Sequence, residues 1–71
     1  MRLVINGRER EFPSLPATAT VTDLIGALDL KGDRVALEHN GEIVRRDSWP
    51  ATPIQPGDKF EIVHFVGGGV A

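Results

Sequence analysis

The 71-residue chain contains no cysteine and only two histidines, His39 and His64. Without thiols no disulfide framework can staple the fold, and two imidazoles fall short of a conventional zinc ligand set. A cysteine-framework secreted module and a structural metal domain are therefore excluded. The chain also lacks a dominant charge: eight basic and ten acidic side chains leave a formal net charge of −2. Such a balance gathers no phosphate backbone by counterion release, which argues against nucleic acid as a partner. No apolar run has the length of a signal-peptide core or a bilayer span, so no membrane association and a cytoplasmic address are expected. Catalytic constellations are missing too. Neither histidine has a nucleophile close to it in sequence, the carboxylates are scattered through charge-alternating segments, and no glycine-rich phosphate loop ends in lysine. Both histidines read as ordinary strand residues.

What the chain does have is the composition of a globular domain, 41% hydrophobic and 25% charged. At this length there is room for one core, and stability has to come from burial. Leu3-Val4-Ile5 leads into Asn6-Gly7, the dipeptide best suited to the positive φ angles of a type I′ turn. Arg8-Glu9-Arg10-Glu11-Phe12 follows, so the segment reads as a hairpin whose second arm carries the charges that guard a sheet edge. Thr20 and Asp23 have the spacing of a helix N-terminal cap. Val21, Leu24, Ile25 and Leu28 recur at i, i+3, i+4 and i+7 on one helical face. The helix is expected to stop between Asp29 and Gly32, with the glycine supplying the left-handed residue.

Val35-Ala36-Leu37-Glu38-His39 reads as a strand, and Asn40-Gly41 gives a second tight turn into Glu42-Ile43-Val44. Arg46-Asp47-Ser48-Trp49-Pro50 reads as a loop or single helical turn anchored by Trp49, and Pro56-Gly57-Asp58 as a turn before the last strand, residues 59–66. The element order predicts an α+β fold, a mixed sheet covered on one face by one helix, as in the ubiquitin-like β-grasp, with first and last strands parallel and central. The expected core is Leu3, Ile5, Val21, Leu24, Ile25, Leu28, Val35, Leu37, Phe60 and Ile62. Val63 and Phe65 then point to the other face near Val4, with Val66 at the strand end. They form a candidate partner-binding patch, unless the loop carrying Trp49 and Ile54 folds over it.

The last strand runs directly into Gly67-Gly68-Gly69, followed by Val70-Ala71. Glycines have no side chains to pack and lose the most entropy on ordering, so residues 67–71 are expected to form a flexible tail behind a folded domain of residues 1–66. Three glycines reach roughly 10 Å at ~3.3 Å per residue, enough to thread a narrow channel in a partner. A linker remnant is the other reading of the same composition.

The Asn-Gly-Glu-Ile-Val segment ending at Val44, Trp49, the Pro-Gly-Asp turn at Pro56-Gly57-Asp58 and the Phe-Val-Gly-Gly-Gly ending at Gly69 together resemble the thiamine-biosynthesis sulfur carriers of the ThiS family. The likeness extends over nearly the whole chain. It implies a carrier, not an enzyme, that acts as cosubstrate of its partners. A ThiF-like adenylating enzyme using ATP and Mg would activate the terminal carboxylate, a persulfide donor would convert it to a thiocarboxylate, and thiazole synthase would receive the sulfur. The reacting glycine maps onto Gly69, with Gly67 and Gly68 as its approach; the carrier itself binds no cofactor. One departure stands out: Val70 and Ala71 place the Gly69 carboxyl in a peptide bond, so either a protease exposes it or the chain as written is inactive. A molybdopterin-synthase small-subunit-like sulfur carrier and a ubiquitin-like modifier or interaction module are the alternative readings.

Overall fold

The computed structural model describes residues 1–65; Val66, Gly67, Gly68 and Gly69, to which the sequence gives roles, lie outside the described residues, as do Val70 and Ala71. Strands β1 (Arg2–Ile5) and β2 (Arg8–Glu11) form the hairpin, and Asn6 and Gly7 take φ angles of 51° and 82° at its turn. All four residues of β2 are exposed, as an edge strand of alternating charge requires.

Helix α1 (Val21–Ala27) begins with the cap expected at Thr20: the Thr20 amide donates to the Asp23 carboxylate at 2.8 Å, in a capping box. Its end differs from expectation. Asp29, at φ 58°, supplies the left-handed residue, the Asp29 amide donates to the Gly26 carbonyl, and the Leu30 amide donates to the Ile25 carbonyl. This pair of reversed bonds closes the helix three residues before Gly32. Asp tolerates the left-handed region better than most side chains, which left Gly32 free for another task. It opens a 3-10 turn (Gly32–Arg34), and a Cβ there would sit 3.1 Å from the Trp49 ring.

Strand β3 (Val35–His39) turns through Asn40-Gly41 into a short β4 (Glu42–Ile43), a second 3-10 segment (Arg46–Ala51) carries Trp49, and β5 (Lys59–His64) closes the fold. The sheet order is β2-β1-β5-β3-β4. β5 runs parallel to β1 and antiparallel to β3, with Val4 opposite Lys59 and Leu37 opposite Ile62. Nine of the ten expected core residues are buried and Leu28 packs half-buried against them; Phe12, Leu15, Ala19, Trp49 and Ile54 complete the core. Trp49 donates its indole N–H to the Val44 carbonyl at 3.0 Å, giving the buried ring its polar partner. No helix among the described residues is long and apolar enough to cross a membrane.

Candidate functional site

Alternation along the strands leaves one face of the sheet without a covering layer. On β5, Phe60 and Ile62 go into the core while Lys59, Glu61 and Val63 are exposed; on β3, Val35 and Leu37 go in while Ala36 and Glu38 are exposed. Trp49 and Ile54 lie in the helix-side core, tied there by an amide bond from Ile54 to the Ala19 carbonyl, so their loop does not cover the opposite face. Ile43, Val63 and Phe65 remain 77%, 60% and 55% exposed. Ala36, Ile43, Val63, Glu38 and Glu61 line a shallow depression of about 120 Å³ on this face.

The register corrects one expectation. Val4 pairs with Lys59, and β1 ends one residue later, so Val63 does not adjoin Val4; its cross-strand neighbour is Ala36 on β3. The patch is therefore assembled from β3, β4 and β5. Phe65 is fixed at its end by donating its amide to the Arg34 carbonyl at 2.8 Å. Val63 and Phe65 thus stand on one face immediately before residues 66–71. Ile43 and Ala36 were missed in the sequence. Alternation assigns Ala36 a face, but only strand pairing brings it to Val63.

The opposite end of β3 holds the polar cluster. His39 Nε2 lies 2.7 Å from an Asp58 carboxylate oxygen, and the His39 ring stacks on Phe60 at a centroid distance of 4.7 Å. The Gln55 amide donates to the same carboxylate at 2.9 Å, and the Asn40 side chain to its other oxygen at 3.3 Å. Burial works against ionisation of Asp58, but the bonds from His39, Gln55 and Asn40 outweigh it and hold the carboxyl below its ordinary value. The cluster joins the β3–β4 turn to the turn before β5. His64 is exposed at the far end of β5, so the structure does not bring the two histidines together. Among the described residues, no group of three or more metal-ligating side chains is assembled.

A mixed sheet with parallel central strands, one helix across one face and an uncovered apolar strip on the other define a ubiquitin-like β-grasp domain. Residues 3–69 match the ThiS family, and the chain belongs to that family. It is 34% identical over 67 residues to the sulfur carrier protein ThiS of Bacillus subtilis, covering 94% of this chain and 98% of that protein. It is 48% identical over 69 residues to a thiazole synthase of Paramagnetospirillum magneticum, a match covering 97% of this chain and 20% of the synthase. A thiazole synthase of Magnetococcus marinus matches at 35% identity over the same shares, so the chain spans about a fifth of the length of these two relatives. The crystal structure of the thiamine biosynthesis protein ThiS from Geobacter metallireducens has the same fold, with a TM-score of 0.81 at 34% identity over 97% of this chain and 100% of that one.

Proposed function

We propose that the chain is a sulfur carrier for the thiazole branch of thiamine biosynthesis, working as a cosubstrate of other enzymes and carrying sulfur on the backbone carboxyl of Gly69. The observation that carries this reading is the family match, which runs through the whole glycine sequence and stops at Gly69. The likeness to the Bacillus sulfur carrier over nearly its full length supports the role. Both thiazole synthases contain a segment like this chain, which supports thiazole synthase as the acceptor.

A carboxylate is a poor electrophile. Adenylation by a ThiF-like enzyme with ATP and Mg turns it into a mixed anhydride, and a persulfide donor then delivers the sulfur. Glycine is the least obstructed residue on which to do this, because no side chain crowds the carbonyl. Val63 and Phe65 dock the folded body, Val66 joins it to the tail, and Gly67 and Gly68 lead the carboxyl into the partner's channel. In this sequence Gly69 is joined to Val70, so hydrolysis of the Gly69–Val70 bond precedes activation. With the bond intact the free carboxyl would lie roughly 7 Å further on, at ~3.3 Å per residue, behind a β-branched side chain.

The test is the mass of the carrier after incubation with the adenylating enzyme, ATP, magnesium and a persulfide donor. A chain ending at Gly69 is expected to exchange one oxygen for one sulfur, and the chain ending at Ala71 to remain unchanged. Equal sulfur gain by both, or modification of a side chain instead, would remove Gly69 from its role.

A further inference from the structure

The open face of the sheet carries a charge arrangement that folding alone does not explain. Ile43, Glu38 and Glu61 form a row across β4, β3 and β5, because Glu38 is the register partner of both Ile43 and Glu61. The two carboxylates therefore face each other directly across neighbouring strands, where side chains stand about 5 Å apart at Cβ and like charges destabilise the sheet. Neither carboxylate takes part in an ion pair among the described residues. The nearby cations on this side of the sheet do not relieve them: Lys59 is at the far end of β5, Arg34 precedes β3, and Arg2 is bonded to Glu9 and Glu11 on the hairpin. Immediately beside the acidic pair lie the exposed Ile43 and Val63, with the shallow depression between them.

We propose that this face docks a heterologous protein surface on which an apolar side chain seats between Ile43 and Val63 while an adjacent arginine or lysine bridges Glu38 and Glu61. The inference rests on the carrier reading only in taking the adenylating enzyme as that partner. A single cation between two carboxylates relieves their repulsion and gains two charge-assisted hydrogen bonds, and arginine has the planar fork to do both. Charge at the margin of an apolar contact acts mainly on encounter and register, so the pair selects a basic partner and speeds its approach. A second copy of this chain fits less well. Pairing two such faces about an axis along the strands would bring four carboxylates together.

The test compares the full chain with its Glu38→Gln/Glu61→Gln variant. Both substituted positions are exposed, and the neutral amides keep the shape. The variant is expected to unfold at the same or a higher urea concentration than the parent, yet to associate about tenfold more slowly with the adenylating enzyme at low salt. Its association rate should also lose most of its dependence on ionic strength, which a purely structural role for the two residues would not alter. Parent and variant with the same rate and the same salt dependence would overturn the inference while leaving the carrier reading intact, provided the parent ending at Gly69 gains sulfur. If that parent neither binds the enzyme nor gains sulfur, the carrier reading falls and the docking inference falls with it. A parent that sediments as a dimer, and a monomer after Ile43→Ser, would also overturn the inference by assigning the face to self-association.

Discussion

The side-chain amide of Asn6 is bonded to both backbone polar groups of Ile62: the Ile62 N–H donates to Asn6 Oδ1 at 2.7 Å, and Asn6 Nδ2 donates to the Ile62 carbonyl at 3.1 Å. β1 ends at Ile5 while β5 continues, so the edge of β5 facing β1 would otherwise be left open beyond Phe60. Asn6 serves the hairpin turn through its positive φ and the central strand through its amide. It extends the ladder by one step without a further strand residue.

These two roles separate by substitution. Asn6→Gly keeps the turn conformation and removes both amide bonds, so it is expected to destabilise the fold by about 1–3 kcal/mol and to speed hydrogen exchange of the Ile62 amide. Asn6→Ala adds the strain of a side chain at φ 51° and should be less stable still. Urea denaturation and amide exchange check both; a glycine variant as stable as the parent would show that water replaces the side chain without loss.

Asp58 gives the fold an acid-sensitive joint. Its carboxyl is held below the ordinary value of 3.8, against the effect of burial, by His39, the Gln55 amide and Asn40. A lowered folded value means that the stabilisation is fully present above the unfolded value and is lost as pH falls through the folded one. Denaturation measured from pH 6 downward is expected to show stability falling as pH drops below about 4, with a shallower fall in Asp58→Asn. Identical slopes in the two proteins would place the acid sensitivity elsewhere.

Trp49 is the core residue whose loss should be felt most. Trp49→Ala opens a large space against Gly32 and Ile25 and is expected to cost about 3–5 kcal/mol. Trp49→Phe keeps most of the packing but loses the bond to the Val44 carbonyl, an expected cost of roughly 1 kcal/mol for the hydrogen bond itself. Circular dichroism in urea separates the two, since the only tryptophan of the chain is the residue replaced.

Phe65→Glu and Val63→Asp fall on the uncovered face, where a change of side chain removes little buried area. Folding stability is expected to move by no more than about 0.5 kcal/mol, while binding to the adenylating enzyme weakens. Binding by both variants at the parent's affinity, with the fold intact, would take these residues out of the docking surface.

The sequence by itself determined the elements and their inward faces. Asn6-Gly7 and Asn40-Gly41 announced two turns, Thr20 and Asp23 the helix start, and strand alternation with helical period picked nearly the whole core, because these signals depend on neighbours a few residues apart. It also marked the glycine ending and, through the family motifs, the role of Gly69. Tertiary structure alone decided what depends on register and distant packing. It moved the helix stop to Asp29 and set Gly32 against Trp49, replaced Val4 by Ala36 beside Val63, and brought His39 onto Asp58. It also turned two carboxylates that look scattered along the chain, Glu38 and Glu61, into a facing pair. Local periodicity gives a residue its side of the sheet, but its cross-strand neighbour is fixed by which strands pair and where they begin, and that follows from the packing of the whole core.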